Sequence, residues 1–533
     1  MRQRVRELCS NKQLQTTAIA SDFTPARPTT SRSTAWLFAA LFAILLASRL
    51  CHTGILWADE DYHQAAAMQA LHGKVPYRDL WYDKPPLNIA AYLLFGAAGG
   101  AVLRIASAIY ALSICWAAFY FAKRLWSRTE GHIAAGLAAF FLIFYFPAAT
   151  ITLEPDTLMI LPHLWAVYFA WQRRPFVAGI LAGVAMLLNV KAVFVLAACA
   201  AVGLGVLEGP AFEFEGAVFE WAALAPTLVW LAAGFLIPNA LGLAWLGWEH
   251  ALSGYVEQVW RWGFLYAGSP AASLRTGIAN TGFLGAGLMR VVNWAAFHAA
   301  LVLASVWFWW KQPEGRIKWI AWTLIAFVAA GVGWRFSARY LDQALPPLML
   351  AASRGFALAR LERRRVLQMV FALAFIPALV RFGPRYLILA TDILRGTPHV
   401  WNDVVMDQDS RAADAILSRL ARPGATLFVW GYRPNIFVYT KLPAASRFWD
   451  SQPLTGIAAD RHLTEDRPTD TEWAAANRAE LVRSRPDFIA DGLSLYNPRL
   501  DIHRYLDLAP WLAQYCEAAR TRGTVIYRRC EDR

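Results

Sequence analysis

Apolar residues fall in long runs along this chain, with short polar stretches between them. The runs are too long for strands and too uniformly apolar for the surface helices of a soluble protein. A helix needs about 20 mostly apolar residues to cross a bilayer. Segments near 35–57, 98–121, 132–149, 157–171, 176–188, 192–207, 221–247, 286–310, 319–334, 341–355 and 366–381 meet or approach that length, about eleven in all. The run 176–207 is too long for one ordinary span and is interrupted by Asn189-Val190-Lys191. A lysine at mid-bilayer is costly, so a turn there splits the run and brings Lys191 to the membrane surface.

Beyond residue 381 the pattern changes. "ATLFVWG" (425–431), "PDFIADG" (486–492) and "GTVIYRR" (523–529) read as strands, and 473–484 and 501–519 as helices. The expected fold class is a polytopic, all-α membrane protein carrying a small extracytoplasmic α/β domain at its C-terminus. The expected divisions are a disordered cytoplasmic tail, 1–34, a membrane domain, 35–381, and the α/β domain, 382–533. No internal repeat is visible.

Composition agrees. The 533 residues are 57% hydrophobic and 17% charged, below the quarter usual for soluble domains. The net charge of +13 has a topological reading, because cytoplasmic loops of membrane proteins collect Lys and Arg. No compact basic domain points to nucleic acid. With the N-terminus inside, the tail and Lys123, Arg124, Arg128, Arg173, Arg174, Lys311, Arg316, Lys318, Arg354, Arg360, Arg363, Arg364 and Arg365 share the inner face. Fewer bases, among them Lys74, Arg78, Lys84, Lys191, Arg261, Arg275, Arg335 and Arg339, are left outside. The acidic loop 208–220 dissents, but acidic residues weigh little in this rule. The first apolar run lacks a small-residue cleavage site and reads as a retained anchor. This makes the protein an inner-membrane one with an extracytoplasmic C-terminus. The six cysteines form no CxxC; Cys516 and Cys530 share the polar C-terminal part, where a bridge is as plausible as two free thiols.

The charged groups expected at the outer face are the candidates for chemistry. "WADEDYHQAAAMQALHGKVPYRDLWYDKPPL" (57–87) is the first outer loop. Asp59 and Glu60 precede a helix-like run ending at Gly73; they serve either as helix cap and first-turn acid or as a general base. Lys84 is presented by Pro85-Pro86, either snorkelling or meeting a lipid phosphate at the headgroup level. "TLEPDTL" (152–158) brings Glu154 and Asp156 to the same face, in a solvated turn or a site. "WRFSARYLDQALPPL" (334–348) places Arg335, Arg339 and Tyr340 where basic residues are disfavoured, as an anionic ligand would require or as interfacial snorkelling allows. "WEHALSGYVEQVWRWGFLY" (248–266) reads as an aromatic belt in preference to an interfacial helix in the site. Tyr62 and Tyr82 are candidates for acceptor or sugar contact. Together these residues suit transfer from a lipid-phosphate donor. A phosphate leaves as a stable anion, so such a site needs a base for the acceptor and cations for the leaving group.

In order, Asp59-Glu60, "YDKPPL", "LEPD", "AGVAMLLNVKAV" (182–193), "RFSARYLDQALPPL" and "LFVWGYRPNIFVYTKLPAASRF" (427–448) resemble membrane glycosyltransferases of the GT-C superfamily. The likeness is to bacterial proteins similar to dolichyl-phosphate-mannose–protein mannosyltransferases and to the lipid A aminoarabinose transferase. It runs over nearly the whole chain past residue 35. The resemblance implies a polyprenyl-phosphate sugar donor and inversion at the anomeric carbon. It places the first-loop acid on Asp59, with Glu60 adjacent, and the second acid on Glu154 or Asp156. It places phosphate contacts on Lys84, Lys191, Arg339 and Tyr340. Where the aminoarabinose transferases carry a glutamate, this chain has Asp83, and a divalent metal stays an open question. The expected function is an inverting glycosyltransferase acting on an extracytoplasmic protein, lipid or cell-envelope glycan. A transporter or flippase is the rival and would want mid-bilayer charges; a dead scaffold is a second.

Overall fold

The computed structural model describes residues 32–203, 221–268, 282–313, 315–333, 335–396, 399, 401, 405–457 and 468–530. The polar tail up to residue 31, the acidic loop 208–220 and Arg275 fall outside these. Residues 1–40 and 41–533 form two compact units, and of the first only the start of helix α1 is described.

The main helices are α1 (Arg32–Leu50), α2 (Glu60–Leu71), α3 (Gly100–Leu125), α4 (Arg128–Phe141), α5 (Pro155–Trp171), α6 (Pro175–Met186), α7 (Val193–Gly203), α8 (Trp221–Trp248), α9 (Gly282–Phe297), α10 (Ala299–Lys311), α11 (Arg316–Gly331), α12 (Leu345–Leu361), α13 (Arg365–Leu373) and α14 (Ile376–Arg395). Among the described residues, four stretches are long and apolar enough to cross a membrane by themselves: Arg32–Leu50, Gly100–Leu125, Ala225–Trp248 and Arg365–Arg395. The segment expected at 286–310 is instead two helices meeting at 86° at His298, a fifth span if taken together. The run 176–207 is split as its lysine demands, with α6 and α7 flanking a short 3-10 turn, Val190–Ala192. Leu236, Leu241, Trp310 and Leu387 stand exposed on these helices, where lipid and not water is the favourable neighbour. Helices α6 and α8 cross closely at Gly179 and Gly234; a Cβ on either would meet the other's backbone at 2.1 Å.

The segment expected to end at 381 continues as α14 to Arg395, so the expected boundary falls inside a helix. The C-terminal part then runs α15 (Val405–Leu420), β1 (Leu427–Trp430), α16 (Asn435–Thr440), α17 (Thr471–Leu481), β2 (Phe488–Asp491), β3 (Tyr515–Arg520) and β4 (Val525–Arg529). The sheet order is β1-β2-β4-β3. Strands β1 and β2 are parallel, and α17 precedes β2 in the crossover, while β2–β4 and β3–β4 are antiparallel. All three expected strands are present. The stretch 501–519, expected to be helical, instead makes 3-10 turns, one short helix (Ala509–Leu512) and the edge strand β3. An edge strand is mostly exposed, so it carries little alternation; pairing with β4 decides its state. Cys516 and Cys530 are disulfide-bonded across this hairpin.

The loop 57–87 is not a linker. Leu56, Tyr62, Trp81 and Tyr82 share one continuous apolar core with Trp262 and with Trp430, Phe448, Trp449 and Trp473 of the C-terminal part. Trp449 donates to the Trp81 carbonyl, and the Trp81 amide donates to Arg447. Gln69 bonds the backbone of Leu442 and Ala444. The segment 252–268 lies between the loop and the C-terminal part. Its single π-helical stretch, Val256–Arg261, turns Gln258 inward to accept from the Tyr82 amide and donate to the Tyr77 carbonyl. Trp262 is buried against Trp81 and Trp473, so this segment is part of the protein interior as much as an aromatic belt. Arg78 and Asp79 pair with each other, and Arg78 also reaches the Glu249 carbonyl, just past the end of α8.

Candidate active site

A cavity of about 430 Å³ is lined by Asp59, Lys84, Glu154, Asp156, Lys191, Arg335, Arg339 and Tyr340, eight of the sequence candidates. They come from five separate stretches of chain, and local features explain how each arrives.

Asp59 is the residue before α2. Its backbone sits at φ 70°, ψ −45°, a conformation rare and strained for a non-glycine residue. Its side chain does not cap the helix. The carboxylate pairs with Arg339, whose Nη1 also lies 2.7 Å from Glu154 Oε2. One guanidinium therefore contacts two carboxyl groups. Burial first, then the nearby Asp156 and Asp342 carboxylates, raises the Glu154 carboxyl well above its usual range. The Lys84 ammonium works against that rise. The other oxygen of Glu154 is buried without a hydrogen-bond partner.

Lys84 and Lys191 are brought together by a backbone splice. After Pro85-Pro86, the Leu87 amide donates to the Leu187 carbonyl and the Asn88 amide group to the Leu188 carbonyl. The loop's end is thereby stitched to the end of α6, just before the Asn189–Lys191 turn. Lys84 Nζ lies 2.8 Å from Asp83. Burial opposes its charge, but the Asp83 carboxylate prevails and holds the ammonium above its ordinary value. Lys191 Nζ sits 3.3 Å from the Tyr340 ring centroid and has no hydrogen-bond partner. Burial lowers its pKa to about 8. Asp156 accepts from Asn189 at 2.9 Å and Gln343 at 3.0 Å. Tyr340 and Tyr266 share a hydroxyl contact of 3.1 Å, and Arg335 stacks on Tyr266.

Three candidates lie elsewhere. Glu60 is fully buried in a bidentate pair with Arg104, at 2.9 and 2.7 Å, and does not line the cavity. Arg104 also bonds the His52 and Ile55 carbonyls, so this pair anchors the chain entering α2. Tyr62 and Tyr82 are buried in an aromatic stack with Tyr432 and Trp449. Their hydroxyls go to the Trp81 carbonyl and to His63, which makes them packing residues of the loop.

The cavity also has members that the sequence reading passed over. Arg290 and Tyr266 line it, as do Tyr432 and Gln452 from the C-terminal part. The Tyr432 hydroxyl donates to Asp59 at 3.3 Å. A signal for Tyr432 existed: it follows the glycine that ends a parallel strand, where α/β sheets commonly carry ligand contacts. Behind Gln452, Asp450 is buried with one oxygen lacking a partner, and burial raises it to about 7.

The donor set does not suit a divalent metal. Among the described residues no group of three or more His, Cys, Asp or Glu is arranged to hold one. The cavity carboxylates are already matched, Asp59 and Glu154 to Arg339, Asp83 to Lys84, and Asp156 to two amides.

Residues 86–237 match the family described as dolichyl-phosphate-mannose-protein mannosyltransferase. No curated protein matches the chain by sequence. Among solved structures, ArnT from Cupriavidus metallidurans, bound to undecaprenyl phosphate, superposes with a TM-score of 0.54 at 14% identity, over 93% of this chain and 98% of that one. Its apo state gives 0.53 at 15%, over 93% and 98%. The archaeal oligosaccharyltransferase AglB from Archaeoglobus fulgidus, in complex with an inhibitory peptide and a dolichol-phosphate, gives 0.43 at 14%, over 94% and 75%. The family match is confined to residues 86–237, and the superposition shows that the chain as a whole shares the fold of ArnT.

Proposed function

We propose that the protein transfers a sugar from a polyprenyl-phosphate donor to a hydroxyl-bearing acceptor at the outer face of the inner membrane. The observation that carries this reading is the shared cavity: a strained, cavity-facing carboxylate, Asp59, opens on the same space as the ammonium groups of Lys84 and Lys191. The undecaprenyl phosphate bound by the Cupriavidus metallidurans ArnT supports the same donor class here.

In this mechanism Asp59 takes the proton of the acceptor hydroxyl as its oxygen attacks the anomeric carbon. The bond from that carbon to the phosphate oxygen breaks, and the polyprenyl phosphate departs as an anion. A single displacement inverts the anomeric centre. Lys84 and Lys191 meet the phosphate, with Arg335 and Tyr340 behind them, and their charge is worth most in such a partly dry site. Arg339 holds Asp59 and Glu154 in place. Glu60 has no part in the chemistry. The acceptor class is a protein, lipid or envelope glycan.

The test is mass spectrometry of envelope glycans in cells with and without the gene. Wild-type protein is expected to restore a missing sugar, and Asp59→Asn to fail while still binding undecaprenyl phosphate. A fully active Asp59→Asn protein overturns the assignment.

A further inference from the structure

The strain at Asp59 has to be held by something. Two supports are within the membrane part: the Glu60–Arg104 pair fixes the next residue, and Arg339 holds one carboxylate oxygen. The third comes from the C-terminal part. Chain leaving β1 turns at Gly431, at φ +118°, where a Cβ would meet Leu493 at 3.2 Å and Gly492 at 3.3 Å. Next comes Tyr432, and then Arg433, which is buried and fastened to Asp409, Ser410, Thr524 and the Met406 carbonyl. This anchor leaves Tyr432 little freedom. Its ring stacks on Tyr62 at 5.5 Å, and its hydroxyl reaches Asp59 Oδ1, while Arg339 pairs with Oδ2.

We propose that Tyr432 is a positioning residue for Asp59, and that the C-terminal domain thereby completes the catalytic site. This rests on the reading of Asp59 given above and deepens it. The two oxygens of Asp59 have separate holders, Arg339 from the membrane part and Tyr432 from the sheet domain. A base held from both sides stays in its strained conformation between turnovers. The acceptor hydroxyl then meets Asp59 beside Tyr432, along a wall continued by Gln452.

The experiment uses the full chain in nanodiscs and compares wild type, Tyr432→Phe and Tyr439→Phe. The Phe variant keeps the stack on Tyr62 and removes only the hydroxyl. Tyr439→Phe removes a different tyrosine–carboxylate bond of the domain, to Asp407, which does not line this cavity. Three outcomes are expected for Tyr432→Phe. Amide exchange in peptides covering 57–63 rises several-fold, while the thermal midpoint stays close to wild type. Turnover falls about threefold to tenfold with the KM for the lipid donor unchanged. The acid limb of the rate–pH profile moves up by about half a unit to one unit, since a carboxylate that loses a donor is easier to protonate. Arg339 and Glu154 beside Asp59, and Asp83, Lys84, Asp156, Lys191, Arg290 and Arg335 around the same cavity, all remain in this variant. Tyr439→Phe is expected to change none of the three. Unchanged exchange at 57–63 in Tyr432→Phe overturns the proposal, as does the same response in both variants. If Asp59→Asn proves fully active, the reading of Asp59 as base fails, while the exchange measurement still judges the clamp.

Discussion

Asp59 and Glu60 are neighbours in sequence, both acidic, and each meets an arginine from another stretch of chain. There the likeness ends. Glu60 and Arg104 are dry, with side chains 0% and 1% exposed, bidentate and backed by two carbonyls. Asp59 and Arg339 face a cavity, at 33% and 20%, and their arginine is shared with Glu154. One pair is closed on itself; the other keeps a strained backbone and a carboxylate that faces the cavity. The difference separates a pair that fixes structure from a pair that can react, although composition and position treat them alike.

If the contrast is sound, the two sides of α2 respond to mutation in different currencies. The largest effect is expected at Glu60→Gln, which strands a buried guanidinium; the loss is about 3–5 kcal/mol of stability, read as a collapse in folded yield and thermal midpoint. Asp59→Asn is expected to keep the fold, because Asn tolerates a positive φ, yet lose turnover by about 10²–10⁴-fold. A melting temperature that falls as far for Asp59→Asn as for Glu60→Gln breaks the comparison. Lys84→Ala, also on the cavity side, is expected to raise the donor KM about tenfold with little change in stability. An unchanged donor KM removes Lys84 from the phosphate site.

A smaller effect comes from pH. Lys191 has a pKa lowered to about 8 by burial, so its ammonium is present below that pH and is lost as pH rises through it. Affinity for undecaprenyl phosphate is expected to hold near pH 7 and to fall several-fold by pH 9. Lys191→Arg, which stays charged, is expected to flatten that dependence. Equal slopes for both proteins count against Lys191 as a phosphate contact. Least affected is turnover on removing the Cys516–Cys530 bridge, which closes a short loop 14 residues apart. Cys516→Ser with Cys530→Ser is expected to cost about 3 kcal/mol of stability and leave the rate unchanged. A drop in rate there ties the hairpin to the site.

Much of this was legible in the chain. The break at Lys191, the three strands and eight of the residues that line the cavity follow from hydropathy, strand pattern and the clustering of charges between apolar runs. The resemblance to GT-C proteins rests on the same ordered residues, and the fold and family match agree with it. What escaped has a common cause. Strand β3 is an edge strand whose exposed residues carry no alternation, so its partner β4 decides it. Tyr62 and Tyr82 looked like polar groups in a charged loop, but the loop is interior to an aromatic core supplied from beyond residue 425.

The sequence by itself determined where apolar runs begin and end, which charges gather between them, and where a helix has to break. Those are local quantities, set by solvation and by the spacing of neighbouring residues. Only the tertiary structure decided which of two adjacent acids turns to the cavity and which is sealed away. That choice depends on Arg104, Arg339 and Tyr432, whose approach is fixed by how distant elements pack and not by anything written beside Asp59.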